Sequence, residues 1–279
     1  MIKHIFTDMD GTLLTPAGYI SAATRHAIHQ VGLPVTLVSA RSAVDMAPFA
    51  TQLHLTGPQI GFNGALIYQL HHHQIQPLHT IPLAASSALQ IIQAVQRHFP
   101  AVSINLYDPF RWYAPQADRG VARQAARSAA APIITPVAPL LNQADFNLIK
   151  VTLIMEAPQK PAPVVELIAG LGLTDVSLQI PASEQGVSFI DITNHQANKA
   201  HGVQTIMAEA GRQRTETAAF GDGENDLPML AAVGLPIAMG NASAKVQAAA
   251  KYVTKPNTAD GWAHAVLTHP AFKELIKKA

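Results

Sequence analysis

Three short apolar runs rich in β-branched residues, at 2–7, 35–38 and 217–221, each stop on a small or acidic residue: Asp8, Ser39 and Asp222. Helical patterns follow the second and third runs, at 43–53 and 227–233. The latter carries Pro228 in its first turn, where a missing N–H costs little. Strand followed by helix, repeated, is the layout of βα units in a parallel sheet. In open α/β sheets, ligands bind just beyond the carboxyl ends of the strands. Asp8, Ser39 and Asp222 are therefore expected to converge on one crevice although they lie far apart in sequence.

The middle of the chain has a different rhythm. From about Pro82 to Gly186 the expected order is helix (83–98), strand pair (102–107 and 111–114), helix (117–130), strand (146–155), helix (161–170) and strand (176–180). Strands grouped beside helices predict an α+β module inserted into the parallel domain. A proline boundary at Ile81 and Pro82 and a turn at 184–186 mark its ends. The expected fold class is α/β: a Rossmann-like parallel-sheet core formed by 1–82 and 187–279, interrupted by an α+β domain at 83–186. A chain of 279 residues is long enough to bury a core in both.

Composition narrows the chemistry. There is no cysteine, which removes disulfides, thiolate nucleophiles and cysteine-ligated metals. Carboxylate, hydroxyl, amine and imidazole chemistry remain. The formal charge is +1, so no nucleic acid or anionic membrane partner is expected and anion recognition has to be local. Only 13% of residues are charged, against about 25% in an average domain, which raises the question of a membrane segment. The most apolar long stretch, 125–141, contains Arg127, Pro132, Pro136 and Pro139, short of the roughly 20 uninterrupted apolar residues a span needs. It reads as a helix end running into a proline-rich connection. The N-terminus has no secretory apolar stretch, so a soluble, cytoplasmic protein is expected.

Asp8-Met9-Asp10-Gly11-Thr12 follows the first strand. If the chain turns after Asp8, two carboxylates reach one ligand from different sides, one as nucleophile and the other moving protons. Asp and Gly are equally the residues of an ordinary turn, so this segment alone does not decide. The run 221–226, Gly-Asp-Gly-Glu-Asn-Asp, offers four oxygen-bearing side chains and suits a hard cation such as Mg²⁺. Within it, Asp222 is the expected ligand, Glu224 a solvated side chain, and Asp226 also a reasonable helix N-cap. Lys199 follows Asn198, a good N-cap, and stands in the first turn, where the helix dipole disfavours a cation. An anion bound at that helix end would repay the misplacement. Ser39-Ala40-Arg41-Ser42 could offer a hydroxyl and backbone N–H groups to a phosphoryl oxygen, although Ser is also a common helix cap.

Asp8-x-Asp10-Gly11-Thr12-Leu13-Leu14, then Ser39, Lys199 and Gly221-Asp222-x-x-Asn225-Asp226 resemble, in this order, the four motifs of the haloacid dehalogenase superfamily. Asn63-Gly64-Ala65, 223–230, 238–242 and Asp260-Gly261 are similar to signatures of its Cof-type, sugar-phosphatase-like branch, and the insertion to that branch's C2-type cap. The resemblance covers essentially the whole chain. It implies Asp8 as nucleophile and Asp10 as the acid and base. It implies Mg²⁺ held by the Asp8 carboxylate, the Asp10 main-chain carbonyl, Asp222 and, directly or through water, Asp226. Ser39, Ala40, Lys199 and Asn225 would hold the phosphate of a small phosphorylated metabolite, a sugar phosphate first among them. Ala40 and Ser39 depart from the commoner glycine and threonine of the second motif. A phosphomutase of the same superfamily and a non-catalytic phosphometabolite-binding regulator are the competing readings.

Other features carry less. His71-His72-His73 falls between two expected strands and reads as a hairpin tip; no HExxH spacing and no P-loop motif occur. Trp112 and Tyr113 are as well placed for a core as for a pocket.

Overall fold

The computed structural model describes residues 1–181, 186–273 and 275–276. The chain opens with β1 (His4–Thr7), α1 (Ala22–Val31), β2 (Val35–Leu37), α2 (Ala43–Gln52), β3 (Gln59–Gly61), β4 (Leu66–His71) and β5 (Gln74–Thr80). The middle holds α3 (Ala85–His98), β6 (Ser103–Tyr107), β7 (Trp112–Ala114), α4 (Arg119–Ala125), β8 (Pro132–Ile134), α5 (Val137–Leu141), β9 (Lys150–Glu156), α6 (Pro161–Ala169), β10 (Val176–Gln179) and β11 (Val187–Asn194). The last stretch is α7 (Lys199–Glu209), β12 (Thr217–Gly221), α8 (Leu227–Ala232), β13 (Leu235–Ala238), α9 (Ala244–Ala249), β14 (Tyr252–Val253), α10 (Gly261–Thr268) and α11 (Pro270–Lys273). Two compact units result: Met1–Arg41, Met46–Leu78 and Asn198–Ala279 form the first, and Ser42–Asp45 with His79–Ala197 form the second.

The first unit is built on a five-stranded parallel sheet in the order β14-β13-β12-β1-β2. Helices cover both faces. On one, Phe6 and Ala219 pack with Val203 and Ile206 of α7 and Met229 and Leu230 of α8. On the other, Phe220 stacks on Trp262 at 5.1 Å, with Phe272 beyond. β1 is buried along its whole length, and its one polar ring, His4, stacks on Phe6 and hydrogen bonds Thr36 Oγ1 at 3.0 Å, as a buried polar group must. Because β1 runs between β12 and β2, Asp8 emerges between the strand ends that lead to Asp222 and Ser39. A second small sheet, β3-β4-β5, branches off at the Val38–Ile60 bridge.

The second unit has a six-stranded sheet in the order β10-β11-β9-β6-β7-β8, antiparallel apart from β7 with β8. Alternation sorts its faces. Ile104, Leu106, Val151, Leu153, Ile190 and Ile192 pack against Ile91 and Ile92 of α3 and Val164 and Ile168 of α6. The opposite face is polar: Asn105, Thr152 and Asp191 lie in register across three strands. There Asp191 accepts from Thr152 at 2.6 Å and Lys150 at 3.3 Å, and Trp112 Nε1 donates to Asn105 at 2.9 Å.

The structure departs from the expected organisation in two places. The stretch 125–141 is not a plain connection but carries β8 and α5. Its prolines punctuate these elements instead of breaking them: Pro132 starts an edge strand, where a missing donor is tolerated, and Pro136 caps α5. Residues 187–194, assigned from sequence to the first domain, form β11, which pairs with both β9 and β10 in the second unit. The turn expected at 184–186 lies outside the described residues except for Gly186. Among the described residues no helix is long and apolar enough to cross a membrane.

Candidate active site

Asp8 is delivered by the end of β1, its N–H still bonded to Phe220 O at 3.0 Å, so the ladder with β12 holds the backbone up to that residue. The chain then makes a wide turn over Met9–Leu13, closed by Leu14 N to Met9 O at 2.8 Å. Gly11 sits in this turn at φ +83°, and a Cβ there would fall 2.2 Å from Asp222 Oδ2. Glycine lets the two strand-end loops touch. Thr12 seals the contact by donating Oγ1 to Asp222 Oδ1 at 2.7 Å.

On the other strand end, Gly221 and Asp222 are followed by a short turn, Glu224–Asp226, that leads into α8. Asp226 is buried, and its Oδ2 accepts the N–H groups of Asp222 and Gly223, each at 3.0 Å. Its Oδ1 accepts Lys199 Nζ at 2.6 Å. The same ammonium donates to Asp8 Oδ1. Lys199 is only 1% exposed and opens α7, whose N-cap Asn198 accepts from His201 N at 2.9 Å. The position of that helix end is set by Gly64: at φ +100°, with a would-be Cβ 2.1 Å from Asn198 O, it lets the Asn63-Gly64-Ala65 turn press directly on the start of α7. Asn241 Nδ2 reaches Gly11 O at 2.9 Å and Asp222 Oδ2 at 3.3 Å, bracing the site from the β13 side.

The electrostatics follow from this crowding. Burial alone would push the Lys199 ammonium down, but the Asp226 and Asp8 carboxylates outweigh it and hold it above its ordinary value. Burial, reinforced by the charge of Asp226 and only partly offset by Lys199, pushes Asp8 well above the usual carboxylate range. Asp222 is pushed up to about 6, by burial first, with the Thr12 hydrogen bond opposing and Asp226 adding. Carboxylate oxygens of Asp8, Asp222 and Asp226 lie within 4.8 Å of one another. If all three lose their protons, the Lys199 ammonium offsets one charge and two remain without an opposite, in an all-oxygen donor set. That is the demand a hard dication meets.

The remaining expected residues are distributed unevenly. Ser39 is buried at the end of β2, its N–H on Ile60 O at 2.9 Å, its carbonyl accepting Asn63 N at 2.8 Å, and its Oγ accepting Arg41 N at 3.2 Å. Ala40 follows it, half-buried. Asn225 is exposed in the turn before α8, its side chain folded against Gly223. Glu224 pairs with Lys245 at 2.6 Å, both well exposed, in keeping with a solvated residue. The carboxylate of Asp10 lies outside the three-carboxylate group and is 58% exposed. Arg41 holds it through Nε on Oδ2 at 2.7 Å and Nη2 on Oδ1 at 2.6 Å. Thr12, Arg41 and Asn241 all stand inside runs noted in the sequence, yet nothing in their spacing marks them as partners of Asp222 and Asp10. The triple histidine forms the β4–β5 tip, with His72 and His73 at positive φ. Trp112 is buried on Asn105, and Tyr113 donates its hydroxyl to Asp108 at 2.7 Å.

The haloacid dehalogenase-like hydrolase family matches residues 5–266. A Haemophilus influenzae protein described as a candidate phosphatase is 30% identical over 94% of this chain and 96% of its own. The pyridoxal phosphate phosphatase YbhA of Escherichia coli is 27% identical over 96% of this chain and 98% of its own. Among solved structures, a haloacid dehalogenase-like hydrolase from Bacteroides thetaiotaomicron superposes with a TM-score of 0.78 at 26% identity, covering 95% of this chain and 98% of that one. With a parallel core sheet, Asp8 and Asp222 at neighbouring strand ends and a family match over nearly its full length, this chain belongs to the haloacid dehalogenase-like hydrolases.

Proposed function

We propose that the protein hydrolyses the phosphomonoester of a small cytoplasmic metabolite, sugar phosphates first, through a phosphorylated Asp8. The observation that carries this reading is Lys199, buried and shared between Asp8 and Asp226 at the mouth of two strands. A phosphate dianion repels a carboxylate nucleophile, so attack needs positive charge fixed where the two meet. Lys199 supplies part of it. In the first step an Asp8 carboxylate oxygen forms a bond to phosphorus as the bond from phosphorus to the ester oxygen breaks, and Asp10 gives that oxygen its proton. In the second, water attacks phosphorus, its proton passes to Asp10, and the Asp8–phosphorus bond breaks to release phosphate. Ser39, the backbone of Ala40, Lys199 and Asn225 orient the phosphoryl oxygens.

Asp8, Asp222 and the main-chain carbonyl of Asp10 would hold Mg²⁺, which supplies the remaining positive charge and aligns the phosphoryl group. Asp226, whose Oδ1 accepts Lys199 and whose Oδ2 accepts two backbone N–H groups, would complete the set, directly or through water. The pyridoxal phosphate named for the E. coli relative makes phosphate esters of primary alcohols carried on an aromatic ring the second class to assay. An aryl phosphate assay tests the reading: Asp8→Asn should lose roughly a thousandfold or more of the activity, and a chelator should abolish it in the wild type. Near-normal turnover in the variant, or activity indifferent to chelation, would contradict the assignment. Release of inorganic phosphate, and not an isomeric sugar phosphate, separates hydrolysis from mutase action.

A further inference from the structure

We infer that Arg41 is the positioning residue for Asp10, a role that rests on the hydrolase reading above. Asp10 has a demanding task for a poorly supported side chain: its backbone is in a turn with non-helical φ and ψ, and its carboxylate projects more than half into solvent. An unrestrained side chain there would sample several rotamers, and proton transfer needs the carboxyl held within hydrogen-bond reach of the ester oxygen. Among the described residues, Arg41 is the one side chain bonded to that carboxylate, and it does so with a two-armed fork that fixes both side-chain torsions at once.

Arg41 is in turn well anchored. Its N–H donates to Ser39 Oγ at 3.2 Å, its carbonyl accepts Phe62 N at 2.9 Å, and its guanidinium lies 5.6 Å from the Phe49 ring centroid. The loop that presents Ser39 therefore also sets Asp10, so the orientation of the phosphoryl group and of the proton donor are built on one backbone. A guanidinium has no proton it can give up at working pH, which leaves Asp10 as the group that moves protons and Arg41 as the group that aims it. When one Asp10 oxygen carries the proton, the other still accepts from the fork. Stability is a poor explanation for the pair, since partly exposed ion pairs of this kind contribute little.

The test exploits leaving groups. Protonation by Asp10 matters for an alkyl phosphate, whose alkoxide is a poor leaving group, and little for an aryl phosphate such as p-nitrophenyl phosphate, whose phenolate leaves unaided. For Arg41→Ala, kcat/KM should fall at least thirtyfold for an alkyl ester and no more than about threefold for the aryl ester, with part of the alkyl loss restored in Arg41→Lys, which keeps the charge without the fork. An equal fall on both esters in a folded variant, or no fall on either, overturns the role of Arg41 while leaving the hydrolase intact. A wild type inert towards both esters with Mg²⁺ would instead remove the hydrolase reading, and this inference with it.

Discussion

Lys199 is where the chemistry of the site and its cost to the fold are the same fact. Among the described residues its ammonium is the one cationic group hydrogen-bonded to Asp8 and Asp226, both of which lie inside the protein. Removing one partner from a buried ion pair leaves charge without compensation, at roughly 3–5 kcal/mol. Lys199→Met, measured by urea denaturation without metal at pH 7.5, should lose about that much stability. The deficit should shrink as pH falls, because Asp8, already pushed up by burial, then takes a proton. A loss below about 1 kcal/mol would mean the ammonium is not what holds the two carboxylates together. Asp8, Lys199, Asp222 and Asp226 stood out as candidates in the sequence because each falls at a strand end or helix start and together they follow the order of a known set of motifs. Arg41 and Asn241 were not, since a side chain's hydrogen-bond partner 31 or 230 positions away leaves no trace in local spacing.

At the scale of the element, β1 carries a second buried charge problem of opposite sign. His4 is pushed down to about 4, by burial first and by Arg212 second. The fold therefore prefers the neutral ring, while the unfolded chain takes a proton near 6.5. Stability is fully expressed above pH 6.5 and is lost as pH falls towards 4, by about 2 kcal/mol at pH 5 and about 3 kcal/mol in full. Asp222, raised to about 6, acts in the other direction over part of the same range. The comparison of wild type with His4→Gln isolates the histidine: the stability difference between them should narrow by about 2 kcal/mol from pH 7.5 to 5, and a pH-independent difference would contradict the neutral His4. Elements with strong periodicity, such as α3 and β12, were readable from sequence. β8 was not, because three residues beginning with proline, inside an Ala/Pro-rich stretch, are too few to show a strand's alternation. β11 was missed for a different reason: its alternation of Ile190 and Ile192 with Asp191 and Thr193 makes sense only once β9 and β10 are known to flank it.

For the whole molecule, two units interleave in the order of the chain, yet every residue of the candidate site belongs to the first: Asp8, Asp10, Ser39, Ala40, Lys199, Asp222, Asn225 and Asp226. A parallel sheet makes that possible, since it gathers strand ends from both halves of the chain on one edge. The negative charge so collected predicts a response to metal. Mg²⁺ should raise Tm, by an increment that grows with concentration and corresponds to about 2.7 kcal/mol at a hundred times Kd. Protons and metal compete for Asp222, so the increment should fall as pH drops through about 6. An unchanged Tm at pH 7.5 with millimolar Mg²⁺ would count against the cation site. In the proposed reaction Asp8 itself becomes phosphorylated. Acid-quenched mass spectrometry of the Asp10→Asn variant turning over an aryl phosphate tests it, because weakened activation of water should let the intermediate accumulate. One phosphoryl group is expected on the peptide that contains Asp8, absent in the Asp8→Asn protein; phosphate released with no phosphopeptide, or a phosphoryl group on any other residue, would rule out Asp8 as the nucleophile.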